Sequence, residues 1–318
     1  MRGSKLTSAV TLILPDILLI TLGFFLRAFL KDGAFHDGFW GSTEKLVFYV
    51  LFPPLLFSSV ASSHLSISEA SQYLSVAIAT MMMAVLFSYL IRYLVKADDV
   101  SHASVFQCGF RFNSYIGFAL VSRLYGNEGL ALLSLLIAFW VPISNTIAVA
   151  ALATAVTKSD GQSGSSKTYT RTLKAVVKNP LIIATSAGLL VNLLGVSLPS
   201  VPMQVCQSLG KASLAMGLLC IGAGIRLNSL QSNGTLIFAN TVERLILVPA
   251  LAFLMCWLFE LPLAAQGALM VFAMLPTAQS CFVMTASMGG NAPLVANVTT
   301  AHTLAAIVTI PIWLSFLI

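Results

Sequence analysis

The chain has 318 residues, of which 58% are hydrophobic and only 9% are charged, and its mean hydropathy is +0.91. Soluble globular domains carry roughly 25% charged residues, so this composition excludes an ordinary soluble fold and predicts an all-α polytopic membrane protein. The net charge of +6 fits basic cytoplasmic loops and the lipid bilayer better than a nucleic-acid partner.

Apolar runs of about 20 residues predict ten transmembrane helices. The first run ends at Arg27 and is too long for a signal peptide, so we expect it to be retained. In chain order the ten predicted spans are 8–30, 43–62, 72–95, 103–124, 128–156, 180–197, 202–225, 235–258, 264–288 and 293–317.

The only extended polar interval is the Gly/Ser-rich segment 157–179, which predicts a linker between a first repeat at 1–156 and a second at 180–318. Lys and Arg are concentrated in this linker and in the loops that follow the first, third and seventh spans. The opposite face has only Arg2, Lys5 and Arg123. The positive-inside rule therefore predicts a cytoplasmic linker and both termini on the outer side.

The two halves also resemble each other. "PDILLITLG" (15–23) and "PLIIATSAG" (180–188) share Pro-x7-Gly, and "FNSYIGFALVSRLYGNEGL" (112–130) aligns with "PTAQSCFVMTASMGGNAPL" (276–294). Because five is an odd number, the second half must lie upside down relative to the first. The sequence thus predicts two inverted five-helix repeats.

Spans four and nine correspond in this repeat, and both are expected to be broken. Pro276 removes a backbone donor in the middle of span nine, and Asn113 and Ser114 stand at the matching place in span four. Lipid cannot satisfy the freed backbone groups, so broken helices occur where they line a polar cavity or pack in protein. The N-terminal ends of the half-helices attract anions, and Thr277 and Ser280 add polar groups there.

Two readings are open for the residues of span four. Arg111 either binds the anion directly or pairs with an acid such as Asp16 or Glu243, because an unpaired charge inside a membrane is costly. Asn113 either recognises a carboxylate or carbonyl group or caps the N-terminus of the half-helix.

Five further residues carry alternative roles. Lys211 either extends to the outer interface at the start of span seven or attracts substrate. Asp16 is expected at a helix start, where a carboxylate suits the dipole, or in proton coupling. Glu243 and Arg244 are expected to form ion pairs that hold the bundle, with proton coupling through Glu243 as the alternative. His302 either makes a structural hydrogen bond or relays protons.

No pattern predicts a metal, a cofactor or an enzyme. HExxH, Gly-x-Gly-Asp and the Walker loop are missing from the sequence. The cysteines fall in apolar segments without a CxxC or His/Cys cluster, which argues against a metal site and a disulfide framework; they are Cys108, Cys206, Cys220, Cys256 and Cys281.

Several segments together resemble the auxin efflux carrier family, which includes plant auxin carriers and bacterial permeases proposed to move organic acids. They are "LVFYVLFPPLLFSSV" (46–60), "NSYIGFAL" (113–120), "NPLIIATSAGLLVNLLGVSLP" (179–199), "LGKASLAMGLLCIGAGI" (209–225) and "LPTAQSCFVMTASMGGN" (275–291). The resemblance implies ten helices in two inverted repeats, similar to bile acid sodium symporters, with crossing broken helices four and nine. It implies a scaffold of helices 1, 2, 6 and 7, with a possible homodimer interface, and a moving transport domain of helices 3–5 and 8–10.

The resemblance implies an elevator-type carrier for a small organic anion, a carboxylate in particular, in the bacterial inner membrane. The main alternative is a sodium-coupled symporter of the bile acid type, which is disfavoured because 103–124 and 264–288 contain no acidic residue. The chain departs from the family pattern at Ala119 and Ala215, where proline is common, and Ala119 favours a continuous span four. The crossover residues that the resemblance implies are Asn113, Ser114, Pro276, Thr277 and Ala278.

Overall fold

The protein is all-helical in the part that the computed structural model describes, residues 2–30, 33–63, 67–160, 179–196, 198–225 and 233–317. Helix makes up 87% of the structure, and these ranges contain no strand. Seven helices are long and apolar enough to cross a membrane, and two shorter apolar helices accompany them. The prediction of an all-helical membrane protein is confirmed at this level.

The described residues form eleven helical segments in chain order. Their bounds are α1 (Arg2–Leu30), α2 (Asp37–Ala61, with a π turn at Val47–Leu51), α3 (Ile67–Leu94), α4 (Asp99–Phe106), α5 (Ser114–Asp160, interrupted by a kink at Gly126 with φ 55° and ψ −141°), α6 (Pro180–Leu193), α7 (Ser200–Gly224), α8 (Gly234–Leu258, with a π turn at Glu243–Leu247), α9 (Leu263–Met274), α10 (Ser280–Ser287) and α11 (Ala292–Leu317). Most of the predicted linker 157–179 lies outside the described residues.

The side chains sort as expected for a bundle surrounded by lipid. Large apolar residues such as Leu94 and Trp257 are 82% and 72% exposed. Trp140, Phe52 and Phe118 instead form part of a fully buried core. Since lipid tails are as apolar as leucine, the outer residues need no protein partner, and close packing holds the inner ones.

Helices α1 and α7 approach each other through glycines. A Cβ at Gly23 would overlap the backbone of Leu219, and a Cβ at Gly222 would overlap the carbonyl of Ile20. Small residues at such contacts let two backbones meet, which is the usual way that helices associate tightly in membranes. These two helices therefore form a closely packed pair.

Two predicted placements are wrong. Lys211 does not begin its helix. α7 begins directly after Pro199, a residue that suits a helix start, and Lys211 lies near the middle of α7, where it is exposed. Asp16 does not begin a helix either, because α1 continues through Pro15. Arg123 bonds the carbonyl of Leu12, one turn before the proline, and also pairs with Asp16 at 2.7 Å.

Candidate functional site

Two helix breaks meet inside the bundle. The first follows α4 and a short 3₁₀ turn at Gln107–Gly109, and the second follows α9. The backbone N–H of Asn113, in the first break, donates to the carbonyl of Pro276, in the second, at 2.8 Å. This hydrogen bond joins the two interrupted segments directly, and each is followed by a new helix that begins near the same point.

The first break forms without a proline. Ala119 lies beyond the break, within α5, so the missing proline at that position does not make the helix continuous. Two side chains satisfy the backbone groups that the break frees: Trp140 donates to the carbonyl of Phe110 at 3.0 Å, and Asn113 Oδ1 accepts from the amide of Tyr115 at 3.1 Å. The capping role predicted as one alternative for Asn113 is therefore present.

The second break follows from Pro276, as predicted. A residue before proline is pushed into extended conformation, and Leu275 has φ −69° and ψ 141°. The regular helical hydrogen-bond pattern ends there, and the last carbonyls of α9 lose their usual donors four residues on. Arg244 donates to two of these, the carbonyls of Leu275 at 2.8 Å and Phe272 at 3.0 Å.

A cavity of about 260 Å³ lies where α5 and α10 begin. Both helices direct the positive ends of their dipoles toward it. Polar groups and aromatic rings share its wall, which is lined by Glu44, Phe48, Phe52, Arg111, Phe112, Asn113, Ser114, Tyr115, Val141, Ser144, Asn145, Asn179, Leu181, Ala278, Gln279 and Ser280. The breaks thus produce a small polar chamber with one apolar side.

Arg111 is the cationic residue of this wall, and its predicted acidic partners are not there. Its guanidinium donates to Gln107 Oε1 at 2.6 Å, Ser280 Oγ at 2.9 Å and Met284 Sδ at 3.5 Å. Within the described residues the ion pairs join other side chains, and Asp16 is paired with Arg123. Neutral partners therefore orient Arg111 and leave its positive charge without a carboxylate.

The structure brings five of the seven predicted binding residues to the cavity and places the other two behind it. Pro276 contributes its carbonyl to the bond between the breaks, and Thr277 is fully buried beside Cys281, with Oγ1 and Sγ 3.4 Å apart. The five on the wall are Arg111, Asn113, Ser114, Ala278 and Ser280.

Three residues expected to couple or pair lie away from the cavity. Glu243 and Arg244 form no ion pair within the described chain, which corrects the expected pairing; Arg244 uses its donors on backbone carbonyls instead. Glu243 accepts from Asn240 Nδ2 at 2.9 Å. His302 is fully buried, and neither ring nitrogen has a hydrogen-bond partner among the described residues.

Glu44 and Gln107 were not predicted from the sequence as residues of the site. Gln107 lies one helical turn before Arg111, a spacing that would have indicated their contact. Glu44 is the acidic residue on the cavity wall. It stands beside Lys45 and Asp37 near a predicted loop, and no periodic pattern in the sequence indicates that it turns inward.

These features define a class: a polytopic membrane protein with two interrupted helices that enclose a polar cavity. A family model described as membrane transport protein matches residues 8–314. The chain belongs to this auxin efflux carrier-like family of membrane transport proteins. No curated protein matches the chain at a significant level.

Proposed function

We propose that this protein is a secondary carrier for a small organic anion, a carboxylate in particular, which binds in the cavity at the two helix breaks. The observation that carries the proposal is Arg111, a cationic side chain on the cavity wall that neutral groups hold in place. A buried charge is costly unless a counter-charge meets it. A bound anion supplies that counter-charge and is further stabilised by the two helix N-termini.

The size and lining of the cavity favour small substrates. Its volume of about 260 Å³ lies just below the range of roughly 300–1,000 Å³ typical of drug-sized ligands. Phe52 and Tyr115 stack at 5.1 Å between ring centroids and give the wall an apolar side. Asn145 and Asn179 add amides on the wall. A carboxylate with a short apolar body therefore matches this site best.

A second cavity supports a route between the site and one surface. It has about 250 Å³, shares Glu44 and Gln279 with the first, and includes the ion-paired residues Arg27 and Asp37. These charges precede the second predicted span, on the face that the positive-inside rule makes cytoplasmic. On this basis the site is open toward the cytoplasm, with both termini outside and the protein in the bacterial inner membrane.

The proposed mechanism is alternating access by an elevator movement within two inverted five-helix repeats. The tight α1–α7 contact suits a rigid scaffold that also includes α2 and α6 and that can form a homodimer. The hydrogen bond between Asn113 and Pro276 suits a transport domain in which both breaks move together. The protein acts without enzymatic chemistry of its own.

Binding and uptake test the proposal. The purified full-length protein is heated with small mono- and dicarboxylates and with matched neutral amides. A ligand that binds the native state raises Tm, so we expect a carboxylate to raise it and its amide to leave it unchanged. Uptake of that carboxylate into proteoliposomes, with and without a sodium gradient, then separates the carrier from a sodium symporter. Equal shifts for acids and amides, or no uptake of any shifting acid, would refute the proposed function.

A further inference from the structure

The buried arginine Arg244 binds the carboxyl-terminal ends of both interrupted helices at once. Its Nε donates to the Leu275 carbonyl at 2.8 Å and its Nη2 to the Phe272 carbonyl at 3.0 Å, both at the end of α9. Its Nη1 lies 3.5 Å from the carbonyl of Gly109, at the end of the 3₁₀ turn after α4. We propose that Arg244 is a built-in cation that fills the carbonyl site behind the two breaks, so that no free cation is needed there.

The carbonyl site exists because the helices end inside the protein. The last carbonyls of a helix have no intrahelical donor, and they carry the negative end of the dipole. In broken membrane helices such carbonyls form sites for Na⁺ or protons. An arginine suits the same position because its planar guanidinium has five N–H donors and a permanent charge, and can therefore reach carbonyls of two different chain segments.

The local structure of α8 presents this side chain to the breaks. Arg244 lies in the π turn Glu243–Leu247, and π turns are frequent at functional positions in helices. Gly109 leaves room for the neighbouring acid, since a Cβ there would overlap the carboxylate of Glu243. The carboxylate of Glu243 lies outside ion-pair distance in the described structure and accepts from Asn240 instead, so the donors of Arg244 are left to the carbonyls.

The two arginines thus occupy opposite ends of the interrupted helices. Arg111 stands at the amino-terminal ends, on the cavity, with its charge free for an anion. Arg244 stands at the carboxyl-terminal ends, fully buried, with its donors on carbonyls. The inference for transport, which rests on the proposed function, is that anion binding does not depend on sodium.

Chemical rescue tests the role of Arg244. The full-length Arg244→Ala variant should have a Tm lower by about 5–10 °C, the shift expected for the loss of several buried hydrogen bonds. Millimolar guanidinium should raise the Tm of this variant, and replacing choline with sodium should raise it too, because both cations can enter the emptied carbonyl site. Wild type should show neither effect. The matched control is Arg92→Ala, which removes a half-exposed arginine paired with Asp99 at 3.6 Å and should also show neither.

The outcomes decide between this role and a merely structural one. If guanidinium and sodium do not raise the Tm of folded Arg244→Ala, or raise it no more than they raise the Tm of wild type, the proposal is overturned. If Arg244→Ala does not fold, Arg244→Lys decides: a single ammonium cannot reach both chain segments, so its Tm should fall, and a Tm equal to that of wild type would overturn the proposal. A wild-type anion Kd that differs between sodium and choline would refute sodium independence. If wild type binds no anion, the proposed function fails, while the rescue still tests Arg244.

Discussion

Replacing Arg111 by glutamine removes the positive charge from the cavity while keeping a polar side chain. A hydrogen bond between a guanidinium and a carboxylate contributes about 1.5–3 kcal/mol, and every 1.4 kcal/mol is tenfold in Kd. We therefore expect Arg111→Gln to raise the Kd of the carboxylate by about 10- to 150-fold. The Kd of a neutral analogue of the same size should not change.

Arg111→Gln should also lower the stability of the protein, and this effect must be separated from its effect on binding. Gln107 Oε1 loses its 2.6 Å donor, and a buried acceptor without a partner costs about 1–3 kcal/mol. Tm should fall by about 2–12 °C at roughly 2–4 °C per kcal/mol. Binding is therefore measured well below the Tm of the variant, by isothermal titration calorimetry on protein that elutes as a single species.

The control is Arg92→Gln, an equal loss of charge far from the cavity. Arg92 is half-exposed, pairs with Asp99 at 3.6 Å and lies over the ring of Tyr89 at 5.5 Å. A surface pair of this kind contributes about 0–1 kcal/mol, so both Tm and Kd should remain close to wild type. If Arg111→Gln binds the carboxylate as tightly as Arg92→Gln does, Arg111 does not recognise the anion.

Three further changes probe the site and its supports. Asn113→Ala removes the cap on the amide of Tyr115 and should lower the free energy of unfolding by about 1 kcal/mol, whereas Asn113→Asp should keep the cap and weaken anion binding by repulsion; equal Kd values in all three proteins would exclude Asn113 from recognition. Glu44→Gln removes the acidic residue of the cavity and should tighten carboxylate binding, because it removes a charge of the same sign as the anion from the same wall; calorimetry showing weaker binding would contradict this. The Ser101 amide donates to Asp98 at 2.8 Å and lowers the pKa of that carboxyl below its ordinary value, so this stabilisation is present at neutral pH and is lost as pH falls through the lowered pKa. Asp98→Ala should accordingly lower Tm at pH 7 and matter less in acid, and a Tm difference that grows on acidification would show that the cap is not the cause.

The sequence was informative wherever lipid or proline constrained the chain. Apolar runs located the long helices, and Pro276 located the second break, because proline cannot continue a helix hydrogen-bond pattern. The first break was predicted at Asn113 and Ser114 from the internal repeat, although no proline marks it. The helix stops near Phe110, where Trp140 donates to a carbonyl that the break frees. A contact between residues 30 positions apart leaves no periodic signal in the sequence.

Several residues of the candidate site could be identified from the sequence, but their contacts with other residues could be predicted only in part. Arg111, Asn113 and Ser280 were identified from charge and from their position beside the breaks. Their partners depend on how distant helices pack, so neither Glu44 on the cavity wall nor the carbonyl contacts of Arg244 could be read from the chain. Glu243 and Arg244 were expected to form ion pairs that hold the bundle, but Arg244 donates to backbone carbonyls instead.

The bond from Asn113 to Pro276 uses main-chain atoms on both sides. Pro276 has no backbone N–H, so the helix ends there. Its carbonyl oxygen nevertheless accepts the hydrogen bond that joins the two interrupted segments. Side chains around the cavity can therefore be replaced without removing this hydrogen bond. Substitutions on the cavity wall can therefore adapt the site to a different substrate while the backbone contact between the two halves of the chain is preserved.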